Sequence, residues 1–139
     1  HALMPFSALQ MYHVVNDVGA YPAFLPWCAG SQVLHQDETS MEARIQMRKG
    51  KLNHSFTTRN DMVPGKNIHI QLVEGPFSSL HGCWQFDSLG DTGCRISLYI
   101  EYDFSSRMLG MVVGPVFNQI SNTMVDSFQQ RAAEIYGSR

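Results

Sequence analysis

Residues 96–136 read I-S-L-Y-I-E-Y-D-F-S-S-R-M-L-G-M-V-V-G-P-V-F-N-Q-I-S-N-T-M-V-D-S-F-Q-Q-R-A-A-E-I-Y, and the apolar period changes inside them. Ile96, Leu98, Ile100, Tyr102 and Phe104 recur at every second residue, as on one face of a strand. From Ser106 the spacing becomes three to four, through Val113, Val116, Phe117, Ile120, Met124, Phe128, Ala132 and Ile135. That is the apolar face of a helix of about 30 residues, roughly 45 Å long. Gly110, Gly114 and Pro115 are expected to bend or loosen its first turns. A helix of this length with one apolar stripe must lie across a sheet or other helices to bury it.

The strand period recurs toward the N-terminus. Met41, Ala43, Ile45 and Met47 alternate with Glu42, Arg44, Gln46 and Arg48, which describes a half-buried antiparallel strand with one wet face. Ser31–Gln36 precedes it, residues 49–52 turn into a strand over about 54–63, and Ile68, Ile70 and Leu72 mark another, ended by Gly75-Pro76. Leu80, Gly82, Trp84 and Phe86 share a face of the next, and residues 89–93 turn into the strand quoted first. Residues 1–6 read as a strand stopped by Pro5. Ser7 with Gln10 forms a capping box ahead of a short helix carrying Met11, Tyr12, Val14, Val15 and Val18. Short connections between consecutive strands make the sheet antiparallel. The expected fold is α+β: a curved antiparallel sheet wrapped around a long C-terminal helix, with two short helices near the N-terminus. Residues 1–139 are expected to form one domain.

Between helix and sheet stands Asn16–Cys28, N-D-V-G-A-Y-P-A-F-L-P-W-C. Pro22 and Pro26 exclude a long helix, and the segment is too apolar for a solvated loop. It is expected to be a short helix-turn that lays Tyr21, Phe24, Leu25 and Trp27 as a lid over apolar surface. The bulk numbers bound the rest. A net charge of −2 gives no global basic field for nonspecific nucleic-acid binding. Cys28, Cys83 and Cys94 form no C-x-x-C and have no histidine at finger spacing, so neither a disulfide framework nor a metal site is indicated, and reduced thiols in a cytoplasmic protein fit best. No apolar run approaches the roughly 18 residues that span a bilayer, and no signal-peptide pattern is present. The first residue is His1 rather than methionine, so a few native residues are expected to precede it. Most of the eight methionines are assigned to core packing.

The lid segment also carries a resemblance, together with Phe56-Thr57-Thr58-Arg59-Asn60, Gly75-Pro76-Phe77 and Gly82-Cys83-Trp84-Gln85-Phe86. A closing stretch runs from Val116-Phe117 through Met124-Val125 and Phe128 to Arg131-Ala132. Over nearly its whole length the chain resembles the coenzyme Q-binding and ribosome-association toxin family of the START-like (polyketide cyclase/lipid transport) superfamily. The resemblance implies the helix-grip fold. It implies either a carrier of ubiquinone, or a related isoprenoid, supporting respiration, or a protein that binds the large ribosomal subunit and blocks subunit joining. Cyclases or aromatases of the wider superfamily stand as a third reading.

No G-x-S-x-G, P-loop, dinucleotide fingerprint or H-E-x-x-H occurs, and no acid–base pair falls at a believable place, so a non-enzyme without cofactor is expected, with ubiquinone as ligand only. His69 and His81 alternate outward, whereas His54 shares a face with Phe56 and reaches a cavity rim. Asp17 is read as a turn or cap residue. With Phe56 inward, Thr58 and Asn60 are inward too and need partners: each other, water, or the carbonyl oxygens of a ligand. The expected ligand walls are Trp84, Phe86, Ile100 and Tyr102 with Val113, Phe117, Ile120 and Met124 of the helix. Phe24, Leu25, Trp27 and Phe77 form the expected mouth. Arg44, Arg48, Lys49, Lys51 and Arg59 gather positive charge around one hairpin. It is read as a solvated tip or as a contact for ribosomal RNA or an anionic membrane surface, the latter making the protein peripheral at the inner membrane.

Overall fold

A computed structural model describes residues 2–49 and 52–137. In chain order these form β1 (Ala2–Met4), α1 (Ala8–Asn16), a 3₁₀ helix (Val18–Ala23), β2 (Cys28–Gln36), β3 (Ser40–Lys49), β4 (Leu52–Val63), β5 (Asn67–Glu74), β6 (Phe77–Leu89), β7 (Gly93–Phe104) and α2 (Arg107–Tyr136). The strands make one curved antiparallel sheet in the order β1-β7-β6-β5-β4-β3-β2, and α2 lies across its concave face in the helix-grip arrangement. Lys51 lies outside the described residues.

Local signals set most boundaries. The Ser7 side chain accepts from the Gln10 N–H at 3.1 Å while Gln10 Oε1 accepts from the Ser7 N–H at 2.9 Å, which starts α1 as the sequence anticipated. Ser106 caps α2 by accepting from the Leu109 N–H at 3.1 Å. Two boundaries differ from expectation. β2 begins at Cys28, so the lid runs straight into the sheet, and β6 begins at Phe77, directly after Gly75-Pro76. α2 runs without a break from Arg107 through Pro115. Pro115 has no N–H for the Met111 carbonyl, but Met111 is 74% exposed, so water can serve that carbonyl. Gly110 and Gly114 lie against the Phe104 ring, where a Cβ on either would stand at ordinary contact distance, 3.5 Å and 3.6 Å.

The core lies between the concave face and α2. Met41, Ala43, Met47, Ile68, Trp84, Phe86 and Ile96 enter from the strands, and Val113, Phe117, Ile120, Phe128 and Ala132 from α2. Met4, Met11, Met41, Met47 and Met62 are buried, whereas Met108 and Met111 are exposed. The lid is pinned rather than loose. Tyr21 donates its hydroxyl to the Val15 carbonyl, Ser31 Oγ donates to the Val18 carbonyl at 2.8 Å, and the Arg48 N–H donates to the Trp27 carbonyl at 2.8 Å. Asp17 ends α1, and its carbonyl accepts from the Ala20 N–H at 3.1 Å, a backbone turn with no side-chain cap on the 3₁₀ helix.

Candidate functional site

Two groups of aromatic rings flank an internal cavity. In one, Phe128 meets Tyr21 at 5.4 Å, Phe24 at 5.6 Å and Trp84 at 5.3 Å, and Phe24 also carries the Arg131 guanidinium 5.1 Å above its ring. In the other, Phe77 stacks on Phe104 at 5.1 Å and meets Phe56 and Phe117, while Tyr102 meets Phe117 at 4.6 Å. Tyr21 and Trp84 of the first group and Phe56 and Phe117 of the second line the cavity. Val18 and Trp27 close it from the lid side, Ala43, Ile45, Ile70, Leu80, Leu98 and Ile100 from the strands, and Ile120, Ser121 and Met124 from α2. Its volume is about 80 Å³, roughly half of the ~150 Å³ apolar cavity that holds benzene in an engineered lysozyme.

Among the described residues no charged side chain lines this space. Its polar content is a short list. Thr58 Oγ1 donates to Asn60 Oδ1 at 3.2 Å, both residues are buried, and the Asn60 amide nitrogen has no acceptor among the described residues. It is therefore a free donor on an apolar wall. Ser121 is compatible with that wall because its Oγ donates back to the Phe117 carbonyl at 2.9 Å. Burial pushes the Tyr21 hydroxyl far up from its ordinary value, so it stays a neutral donor. The Cys28, Cys83 and Cys94 thiols are also pushed up, first by burial, and all three are free.

The arrangement gathers Trp27, Phe56, Thr58, Asn60, Trp84, Phe117, Ile120 and Met124, with Ile100, around one space. It does not bring Phe24, Leu25, Phe77, Phe86, Tyr102 or Val113 to the cavity wall. Phe24 packs on Phe128, Phe77 and Tyr102 sit in the ring group behind Phe56 and Phe117, Phe86 stacks on Trp84, and Leu25 and Val113 are wholly buried. Of the expected mouth only Trp27 borders the space, because β6 carries Phe77 into register with Phe104 instead. Ala43, Ile45, Leu80 and Leu98 were legible as inward positions by alternation, yet nothing in their spacing marked them as cavity rather than core. Ser121 gave no signal, since its place in the wall depends on a bond to its own helix.

The Thr58–Asn60 pair yields a stability prediction. Thr58→Val leaves Asn60 Oδ1 unpaired, and Asn60→Leu leaves the Thr58 hydroxyl unpaired, each costing about 1–3 kcal/mol. The double variant removes both ends and is expected to cost less than the sum of the singles in urea unfolding. Additive losses would mean that the two side chains do not bond to each other.

The basic hairpin is less basic than its sequence. Arg44 reaches Glu74 at 3.3 Å and Arg59 reaches Asp61 at 3.8 Å, both across exposed surface. Lys49 Nζ donates to Gln119 Oε1 of α2 at 3.1 Å, and Arg48 is exposed with no ion pair among the described residues. His81 lies outward, 3.2 Å from Glu101, and His69 is outward as well. His54 is half-buried on the inward side of β4 and does not line the cavity. Among the described residues no group of three or more His, Cys, Asp or Glu side chains is placed to hold a metal ion, and no helix is long and apolar enough to cross a membrane.

With this geometry in view, the chain matches known proteins over almost its full length. It is 48% identical over 136 residues to the ribosome association toxin RatA of Pseudomonas aeruginosa, covering 98% of this chain and 94% of that one. It is 26% identical over 140 residues to a mitochondrial coenzyme Q-binding protein COQ10 homolog B of Xenopus laevis, covering 97% of this chain and 57% of that one. Among solved structures, the Zhui aromatase/cyclase of Streptomyces sp. R1128 superposes with a TM-score of 0.82 at 16% identity, over 94% of this chain and 89% of that one, a likeness of fold alone. The profile of polyketide cyclase/dehydrase and lipid transport proteins matches residues 4–129. The chain belongs to the polyketide cyclase/dehydrase and lipid transport family, in the branch of the ribosome association toxins and their coenzyme Q-binding relatives.

Proposed function

We propose that this protein acts on the ribosome, in the cytoplasm, by binding the large subunit and blocking its joining to the small one. The observation that carries this reading is the 48% identity, spread over nearly the whole of both chains, to a protein named for ribosome association. The action is binding without a covalent step. Arg48 and Lys49, at the end of β3, are cations of the hairpin with no carboxylate partner among the described residues, and they supply the contact to RNA phosphate.

Added to separated ribosomal subunits, the purified protein is expected to co-sediment with the large subunit and to lower the yield of joined ribosomes, in a salt-sensitive manner. Replacing Arg48 and Lys49 together by alanine should weaken co-sedimentation and flatten its salt dependence. A protein that stays at the top of the gradient with both subunits would overturn the reading.

A second reading rests on the cavity. Its uncharged wall with one free amide donor suits a neutral apolar molecule bearing a carbonyl, such as ubiquinone or a related isoprenoid. At about 80 Å³ the space would hold only part of such a molecule, so loading requires the lid or α2 to give way. Solvent extraction of the native protein followed by mass spectrometry is expected to yield a quinone, and Thr58→Val with Asn60→Val to reduce its retention. Protein that carries no quinone and takes none up would remove this reading and leave the first untouched.

A further inference from the structure

The exposed face of α2 changes character along its length. In its first turns, Met108, Met111, Val112 and Pro115 lie side by side at helical spacing, and the first three are 76%, 74% and 61% exposed. Further along, the same face carries Asn118, Gln119, Asn122 and Asp126. Methionine and valine displayed in water on a helix whose other face is fully packed have no role in the fold. They occur together, not scattered, and so they mark an interaction surface.

We propose that this end of the molecule docks on the surface of an anionic lipid bilayer, with Met108, Met111 and Val112 entering the apolar boundary of the leaflet. Three observations select that partner. The patch spans about 12 Å of helix, too little for the roughly 600 Å² per partner that a stable protein interface needs at minimum, but suitable for a few side chains dipping into lipid. Its charge is of one sign. No carboxylate occurs between Phe104 and Val125, Arg107 stands in the first turn, and Lys49 reaches α2 at Gln119. Of the carboxylates nearest in the chain, Glu101 and Asp103 project from the face of β7 away from α2, and Asp126 stands three turns of α2 beyond Pro115. Cations beside an apolar helix face match anionic headgroups over hydrocarbon. The apolar character also continues inward. Gly110 and Gly114 seat Phe104, Phe104 stacks on Phe77, and Phe77 touches Phe56 and Phe117 of the cavity wall.

The same end gathers three connections. Lys49 closes β3 there, the Ser105 N–H donates to the Pro76 carbonyl at 3.0 Å between the β7–α2 and β5–β6 links, and Ser105 Oγ donates to the same carbonyl. A flat approach of this end to a membrane thus presents cations and apolar side chains together.

The test is flotation of the full chain with vesicles of phosphatidylcholine, with and without phosphatidylglycerol, alongside its sedimentation in solution. Wild-type protein is expected to float with the anionic vesicles and much less with the neutral ones. Met111→Glu combined with Val112→Glu should lower the bound fraction at least about tenfold with an unchanged circular dichroism spectrum, since both side chains are in solvent. Arg107→Ala with Lys49→Ala should abolish the preference for phosphatidylglycerol. Absence of flotation with either vesicle would overturn the proposal, as would glutamate variants that float like wild type. A concentration-dependent dimer that the glutamate variants abolish would overturn it too, because the stripe would then be covered by a second copy.

Discussion

Phe128→Ala is expected to cost about 3–5 kcal/mol of unfolding free energy and to lower the melting midpoint by about 10–15 °C. Phe128 is wholly buried and stands where three elements meet, touching Tyr21 and Phe24 of the lid and Trp84 of β6 from its own place on α2. Truncation leaves a void that no single neighbour fills, because Tyr21 is fixed by its bond to the Val15 carbonyl and Trp84 by its stack on Phe86. The same change removes the surface on which the lid rests, so limited proteolysis is expected to cut first within residues 17–27. A loss below about 1 kcal/mol in urea unfolding would mean that the lid does not depend on this ring.

Gly82→Ala should be the next most damaging small change, at about 1–3 kcal/mol or more. Gly82 faces Ile100 in the β6–β7 pair, and a Cβ there would stand 2.5 Å from the Tyr99 carbonyl oxygen and 3.3 Å from the Ile100 Cα. Both obstacles are backbone, so no rotamer change relieves the contact. The strands must part at the point where Leu98 and Ile100 form the cavity wall. Gly82→Val should be worse, since its branch adds two more atoms at the same place. A Gly82→Ala variant as stable as wild type would show that β6 and β7 do not approach this closely.

How far the chain could be read in advance depended on the range of the interaction concerned. Alternation at Met41–Met47 and Ile96–Phe104 disclosed strands and their inward faces, and the period change at Ser106 disclosed α2, because both patterns are set within a few residues. The capping pair Ser7 and Gln10 was legible for the same reason. Thr58 and Asn60 were placed inward together, and they do bond to each other. What stayed hidden was decided across the sheet. Phe77 was assigned to the mouth, yet its register against Phe104 puts it in a ring stack behind the wall. Arg44 looked like a free cation because Glu74 lies 30 residues from it, whereas Arg59 and Asp61 are two residues apart on the outward face of β4, a pairing that alternation does disclose. Pro115 lies inside α2 between the buried Val113 and Phe117.

The placement of the closing helix also constrains how the protein is made. Tyr136 donates its hydroxyl to the Gln10 carbonyl at 3.3 Å across 126 residues, and its ring lies 6.0 Å from Phe6. The first helix therefore waits for nearly the last residues before its packing is complete. During synthesis, at about 5–20 residues per second, the six consecutive strands emerge well before Phe117, Ile120 and Phe128. For several seconds the nascent sheet presents Met47, Trp84 and Ile96 uncovered, a long-range topology that folds slowly and favours a late, concerted closure. A ribosome stalled before Arg107 would thus display an unclosed apolar trough, the form in which this chain is most exposed to chaperones and proteases.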